Sequence, residues 1–200
     1  MKYYQHQLNI LEKNPRYQLL AWDTGTGKTL GLIELTKKNL EQKDEVLFIV
    51  PKGMKMQWIA KIHEFGGGIA FTFTILTKEE FRKYAATLKA YKAVVIDEVH
   101  HFSGYTSEMN KSLIKYLHRT NPEYLWSGSA TPYRSEPLNI WALGMVHGYM
   151  PLRFDKFRSR FYFPIRLKKK DASEIEKKKK KGRIVWKARE DEQTKKDLSV

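Results

Sequence analysis

The stretch Leu19-Leu20-Ala21-Trp22-Asp23-Thr24-Gly25-Thr26-Gly27-Lys28-Thr29 decides the fold class of this chain. It passes from a short apolar run into a glycine-containing loop and then into a helix-like segment. Two later segments have the same form. An apolar run over 93–96 precedes Asp97-Glu98-Val99-His100, and Tyr124-Leu125-Trp126 precedes Ser127-Gly128-Ser129-Ala130-Thr131-Pro132. Three buried strands that each end in a polar or glycine-rich segment predict one nucleotide site.

Strand-like and helix-like runs alternate between these segments. The predicted strands cover 17–22, 46–50, 71–76, 93–96 and 123–127, and the predicted helices cover 28–40, 54–65, 78–90, 108–118 and 137–147. Short, unbroken apolar strands between helices indicate a parallel sheet with helices on both faces. The sequence therefore predicts a doubly wound α/β domain over 1–150, with ligands at the carboxyl ends of its strands.

Composition excludes several classes of protein. The chain has 200 residues and no cysteine, so disulfides and cysteine-ligated metal sites are excluded. The first residues contain no apolar signal core, and no apolar run is long enough to span a bilayer. We expect an intracellular protein, cytoplasmic or associated with the nucleoid or nucleus, that is not secreted and has no membrane partner.

The charge is strongly positive and unevenly distributed. The formal net charge is +15, and residues 151–200 hold 18 of the 37 basic side chains but 8 of the 22 acidic ones. A basic balance favours a polyanionic partner, most often nucleic acid. We therefore predict a basic extension over 151–200, in which the lysine-rich segment 168–181 forms either a solvated helix or a disordered arm.

The phosphate loop, residues 22–29, has the residue types that bind a nucleotide. Gly25 and Gly27 let backbone N–H groups, including that of Thr26, curl around phosphate oxygens at the start of a helix. Lys28 would reach the β- and γ-phosphates, and Thr29 would ligate Mg²⁺. The general pattern has a further glycine where this chain has Trp22. That departure disfavours a GTPase or a nucleotide kinase.

The acidic segment places two carboxylates after the strand over 93–96. Metal-dependent phosphoryl transfer needs one carboxylate for the Mg²⁺ shell, assigned to Asp97, and a second to orient the attacking water, assigned to Glu98. His100 either couples the γ-phosphate to the third segment or simply packs. A metal site formed with His101 would match no common zinc spacing.

Together these segments resemble those of a superfamily 2 helicase or translocase. Gly25-Thr26-Gly27-Lys28-Thr29 is similar to motif I, Asp97-Glu98-Val99-His100 to motif II (a DExH box), and Ser129-Ala130-Thr131 to motif III. The resemblance implies a RecA-like ATP-binding lobe that uses ATP and Mg²⁺. In it, His100, Ser129, Ala130 and Thr131 couple the nucleotide to movement.

Looser matches, within residues 3–162, point to the Swi/Snf-like ATPases. Ile49-Val50-Pro51-Lys52-Gly53 with Gln57-Trp58 resembles motif Ia, and Ile75-Leu76-Thr77-Lys78 lies where motif Ib-type contacts occur. The segment 137–143 resembles the family's "LW-L" helix, and the segment 157–161 resembles the usual continuation of that helix. By the same resemblance Gln7 reads adenine, with Gln5 as a rival. Lys52, Gly53 and Thr77 contact the nucleic-acid backbone. Trp58 and Trp141 are expected in the core.

The family works with two RecA-like lobes, and the second supplies an arginine to the transferring phosphoryl group. Residues 151–200 are too few and too lysine-rich to form that lobe. We therefore expect a second lobe, in cis or in trans, and weak ATP hydrolysis by this chain alone. The resemblance favours DNA over RNA as the partner. The alternatives are an RNA helicase lobe and a non-catalytic, ATP-gated nucleic-acid-binding module.

Overall fold

A computed structural model describes residues 3–66, 71–132, 137–148, 153–166 and 184–188. The helices in it are α1 (Gln5–Lys13), α2 (Lys28–Asn39), α3 (Lys55–Gly66), α4 (Lys78–Tyr84), α5 (Glu108–Thr120), α6 (Pro137–Val146) and α7 (Phe154–Phe161). The strands are β1 (Tyr17–Leu20), β2 (Glu45–Val50), β3 (Thr72–Thr77), β4 (Ala93–Asp97), β5 (Tyr124–Gly128), β6 (Tyr162–Arg166) and β7 (Ile184–Ala188). Short 3₁₀ turns follow β2 (Lys52–Met54) and β4 (Val99–Phe102).

Strands β1 to β5 form one sheet in the order β1-β5-β4-β2-β3, and every pair in it is parallel. The predicted doubly wound α/β fold is confirmed. Because all five strands run the same way, their carboxyl ends share one edge, which we call the carboxyl edge. Strands β6 and β7 form a separate antiparallel pair.

The side chains of β2 alternate between the two faces of the sheet, as the period of a strand requires. Phe48 faces the layer of α1, α2 and α3, where Trp58 and Ile62 are buried. Ile49 faces the layer of α4, α5 and α6, where Phe81 is buried. Both faces are thus covered, which explains the unbroken apolar strands.

Among the elements of residues 1–150, two differ from the sequence-based expectation. Helix α1 was not predicted; its buried face consists of Gln7 and Ile10, and a polar residue facing inward weakens the apolar pattern. Helix α4 was expected to continue to residue 90 but ends at Tyr84. There the Thr87 hydroxyl and two backbone N–H groups bond to the Tyr84 carbonyl as a turn.

The region after the main sheet is described only in part. Helix α7 lies against α6, with the Trp141 and Phe154 ring centroids 5.2 Å apart and Phe157 buried. The segment 168–181, predicted as a solvated helix or an arm, lies outside the described residues. Within the described ranges no helix is long and apolar enough to cross a bilayer.

Candidate functional site

The phosphate loop joins β1 to α2 in a left-handed conformation at two glycines. Gly25 has φ +80° and Gly27 has φ +81°. This region disfavours residues with a Cβ, so the loop depends on glycine at both positions. A Cβ on Gly25 would meet nothing within 4 Å, whereas one on Gly27 would lie 2.3 Å from Nε2 of Gln7. The loop is thus open at Gly25 and tightly packed at Gly27.

Lys28, the first residue of α2, folds back over the loop. Its Nζ donates to the carbonyls of Trp22 and Asp23, both at 2.9 Å. Its stem lies over Gly128, where an added Cβ would be 3.7 Å from Cδ of Lys28. Lys28 therefore lies beside Gly128, at the end of β5. The ammonium group thus lies at the start of the phosphate loop, close to where a phosphate-binding lysine is expected.

The departure at Trp22 has a structural explanation. Its indole lies over Gly31 in α2, where an added Cβ would be 2.9 Å from Cζ3. The ring also meets His6 edge-on, with centroids 4.4 Å apart. Trp22 therefore packs between α1 and α2, and its backbone carbonyl accepts the hydrogen bond from Lys28. The loop keeps its shape without the usual first glycine.

Helix α1 distinguishes between the two glutamines considered for adenine recognition. Gln7 is 1% exposed, accepts from the Tyr4 N–H at 2.9 Å, and donates through Nε2 to the Gly27 carbonyl at 3.2 Å. His6 donates to the Thr26 carbonyl at 3.0 Å. Gln5 is exposed and pairs with Asn9. Gln7, rather than Gln5, therefore contacts the phosphate loop.

The carboxylate of Asp97 ends β4 and is 8% exposed. Its Oδ2 accepts from Nε1 of Trp58 at 2.8 Å, and its Oδ1 accepts from the Glu98 N–H at 3.0 Å. Burial raises the pKa of Asp97, while the Trp58 hydrogen bond and the charge of Lys28 oppose that rise. Lys28, from the phosphate loop, is thus among the charges that act on the Asp97 carboxylate.

Glu98 adopts a conformation that is rare for a residue with a side chain. Its φ is +51° and its ψ +52°. A left-handed backbone costs about 1–2 kcal/mol outside glycine. The side chain is held nearby, since Oε2 lies 3.0 Å from Nδ1 of His100 and 3.3 Å from Oγ of Ser129. Strain of this kind concentrates at functional sites.

The third segment joins the site through Ser129, which is fully buried. Its Oγ lies 2.8 Å from Nδ1 of His100 and accepts from the Thr131 N–H at 3.2 Å. Because an ionised carboxylate only accepts, the proton between His100 and Glu98 belongs on Nδ1. Ala130 is half-buried and Thr131 exposed. His100 therefore makes polar contacts with both the acidic segment and the third segment.

The residue types of the site fit the chemistry of Mg-ATP. The left-handed glycine loop would present N–H groups to phosphate oxygens, and Thr29 and Asp97 carry hard oxygen donors of the kind that Mg²⁺ takes beside phosphates and water. Thr29 is half-buried at the start of α2. Among the described residues, no group of three or more histidine or acidic side chains could hold a metal by itself.

The residues predicted to contact nucleic acid lie at the ends of β2 and β3. Lys52 and Gly53 form an exposed 3₁₀ turn, and an added Cβ on Gly53 would meet nothing within 4 Å. Thr77 is 7% exposed, and its hydroxyl caps α4 by accepting from the Glu80 N–H. Lys55, which follows the 3₁₀ turn, forms an ion pair with Glu80 of α4 at 2.9 Å. This ion pair connects the segments that follow β2 and β3. Thr77 therefore has a structural role at the same edge.

Sequence reasoning missed the contact of Trp58 with Asp97 and assigned no role to His6. Trp58 is buried in the core, as expected, but its indole N–H also reaches the acidic segment. No periodicity predicts such a contact, because it joins residues 39 positions apart. A tryptophan among apolar residues whose N–H needs a buried acceptor was the only signal available.

The comparisons with known proteins show the fold. No protein-family model and no curated protein matches the chain. Among solved structures it is similar to the Sulfolobus solfataricus SWI2/SNF2 ATPase core in complex with dsDNA, with a TM-score of 0.64 and 17% sequence identity. The match covers 80% of this chain and 39% of that core, so the chain spans about two fifths of its length. The likeness shows the fold: the chain has the α/β fold of the matching part of that ATPase core, and the predicted RecA-like fold class is confirmed.

Proposed function

We propose that this chain is the ATP-binding lobe of a nucleic-acid-dependent ATPase that couples Mg-ATP hydrolysis to movement on DNA. One observation carries the proposal. Lys28, Asp97, Glu98 and Ser129 come from three separate strand ends and lie together at the carboxyl edge. This is the edge at which parallel α/β sheets bind ligands.

Each side chain has a role that its surroundings support. When bound, Mg²⁺ supplies positive charge to the phosphate oxygens, and Thr29 and Asp97 hold its shell. Lys28 holds the β- and γ-phosphates from within the glycine loop. Glu98 orients the attacking water and accepts its proton. His100 and Ser129 fix the Glu98 carboxylate by contacts of 3.0 and 3.3 Å.

Gln7 is proposed to contact both the adenine base and the phosphate loop. The resemblance assigns adenine recognition to it, and the structure places its amide against Gly27. An amide group that contacts both the base and the loop would make loop geometry depend on which base is bound. We propose this role for Gln7 on the strength of the resemblance and of its bond to the Gly27 carbonyl.

The DNA assignment rests on the exposed turn after β2 and on the solved relative. Lys52 and Gly53 present a positive charge and open backbone, which suit phosphate contacts independent of sequence. The similar ATPase core is in complex with dsDNA. We propose that a second RecA-like lobe, in cis or in trans, supplies the arginine that stabilises the transition state. Without it, turnover falls by on the order of a thousandfold.

The test is ATP hydrolysis by this chain with no polymer, single-stranded DNA, duplex DNA or RNA. We expect Mg-ATP binding and slow turnover, both lost in Lys28→Ala. The Glu98→Gln variant should bind Mg-ATP and lose turnover. Stimulation by RNA alone would overturn the DNA assignment. Polymer binding gated by ATP and unchanged in Glu98→Gln would show the non-catalytic module. Fast stimulated hydrolysis would show that no second lobe is needed.

A further inference from the structure

A single side chain connects two parts of the carboxyl edge that have different tasks. The indole N–H of Trp58 donates to Oδ2 of Asp97 at 2.8 Å, and the two residues are 1% and 8% exposed. Trp58 lies in the first turns of α3, which follows directly from the 3₁₀ turn Lys52–Met54. The bond therefore runs from the helix behind the exposed turn to the carboxylate at the end of β4.

Sheet order gives this bond its significance. Strand β2 lies next to β4, so the end of β2, with Lys52 and Gly53, is adjacent to the end of β4. In the proposed function the exposed turn contacts nucleic acid, whereas Asp97 of the acidic segment holds the Mg²⁺ shell. A displacement of α3 moves the indole donor, and hydrogen bonds weaken steeply as their angle worsens. The position of Asp97 is therefore sensitive to the position of α3.

The Trp58 ring cannot compensate by swinging freely. It is fully enclosed in the core and packs against Phe48 of β2, with ring centroids 5.5 Å apart. A buried ring with two torsion angles moves with its helix rather than independently of it. The position of the Trp58 indole N–H therefore depends on where α3 lies relative to the sheet.

Further side-chain contacts lie on both sides of the Trp58–Asp97 bond. Lys55, also in the first turn of α3, pairs with Glu80, which accepts from the Thr77 N–H at 2.7 Å at the end of β3. On the other side of β4, Glu98 meets Ser129 at the end of β5. Side-chain contacts therefore join the ends of β3, β2, β4 and β5. Among these side-chain links, the Trp58–Asp97 bond is the one that joins α3 to the end of β4.

We propose that Trp58 is a positioning residue that sets the Asp97 carboxylate and couples nucleic-acid contact at the Lys52 turn to Mg-nucleotide binding. The inference rests on the proposed function and deepens it by naming the connection between its two sites. Duplex bound at the turn shifts α3, and the indole carries that shift to the Mg²⁺ ligand. By linkage, Mg-nucleotide changes duplex affinity by the same factor.

The variant Trp58→Phe removes the donor and keeps an aromatic ring. The matched control is Trp126→Phe, because Trp126 is also buried and its indole donates at 2.8 Å, but to the Pro15 carbonyl far from the acidic segment. Both variants lose the hydrogen bond of an indole N–H and some core volume. Only the first leaves the Asp97 carboxylate without its indole partner.

Two quantities are measured with a fluorescent ATP analogue. They are the Mg²⁺ concentration for half-maximal nucleotide binding and the ratio of nucleotide dissociation constants without and with saturating duplex DNA. Trp58→Phe should raise the first by about tenfold, as expected for losing a hydrogen bond to a charged group. It should bring the ratio to one while duplex affinity without nucleotide is unchanged. Trp126→Phe should leave both quantities as in the wild type.

The outcomes separate the inference from the proposed function. If wild type binds Mg-nucleotide in a Lys28-dependent way and Trp58→Phe matches Trp126→Phe in both quantities, the inference is wrong and the proposed function stands. If wild type binds no Mg-nucleotide, both fall. If Trp58→Phe does not fold, the Nε1–H resonance of Trp58 in wild type decides. It should shift with Mg-nucleotide and again with duplex, and an unmoved resonance overturns the inference.

Discussion

Oγ of Ser129 lies 2.8 Å from Nδ1 of His100, and both atoms face the same carboxylate oxygen of Glu98. The serine follows β5, whereas the histidine and glutamate follow β4. The orientation of Glu98 therefore depends on a residue from another strand. Because Ser129 is fully buried and its backbone N–H is bonded to the Leu20 carbonyl, it forms a fixed support.

Replacing Ser129 with alanine should slow ATP turnover about tenfold, the effect of one hydrogen bond to a charged group. The Glu98 carboxylate would lose one of the two contacts that keep it in place, while Lys28 and Thr29 would be untouched. Nucleotide affinity should thus stay as in the wild type. Single-turnover hydrolysis and equilibrium binding measure the two effects separately.

Ser127→Ala is the matched control for this prediction. Ser127 is equally buried and lies two residues earlier, but its hydroxyl bonds to His147 at 2.8 Å rather than to the acidic segment. It should lower thermal stability without changing turnover per folded molecule. Equal turnover losses in both variants would contradict a specific role for Ser129.

The sheet and the meeting of three segments were predictable from the sequence. Apolar strands without polar alternation required two covered faces, and the carboxyl ends of parallel strands necessarily share an edge. That argument placed Lys28, Asp97 and Ser129 at one edge before any geometry was known. Local patterns were sufficient here because each segment follows its own strand directly.

Contacts between distant segments were not predictable in the same way. The bond between Trp58 and Asp97 depends on which strand lies next to β4, and no local pattern fixes strand order. The rival glutamines, Gln5 and Gln7, differ only in which face of α1 they occupy. That helix was not expected, since its buried face contains a polar residue. The burial of Thr77 at a helix cap likewise depends on tertiary packing.

Gly27→Ala should destabilise the protein by about 1–3 kcal/mol more than Gly25→Ala. Both positions have positive φ, so both variants have the same backbone strain. Only at Gly27 would the new Cβ displace the Gln7 amide, which lies 2.3 Å from its ideal position. Chemical denaturation of the two variants measures the difference. Equal losses in the free energy of unfolding would show that the Gln7 side chain moves aside at no cost.

Lys52→Ala should weaken duplex DNA binding by a similar factor for every sequence, since a phosphate contact carries no base information. The slope of log affinity against log salt should fall by about 0.9 for one lost phosphate contact. Lys13→Ala removes an exposed lysine in the last turn of α1 and serves as the control. Equal salt slopes for the two variants would contradict a contact by Lys52.

Acidification should destabilise the protein through His147. Burial lowers the pKa of His147, and the hydrogen bond from its Nδ1 to the Leu143 carbonyl only partly opposes this. Below pH 6.5, which is the ordinary pKa of histidine, the unfolded chain binds a proton at His147 that the folded chain does not. Stability is therefore retained above that pH and falls below it, by up to about 1.4 kcal/mol per pH unit.

His147→Gln should flatten this dependence, since glutamine does not titrate in this range and has an amide that can still face Ser127. Between pH 7.5 and 5.5 we expect the wild type to lose about 1 kcal/mol more stability than the variant, or roughly 2–4 °C in its thermal midpoint. His118→Gln, on the exposed face of α5, is the matched control. If the two variants showed the same pH dependence of stability, the buried imidazole of His147 would not be the group responsible.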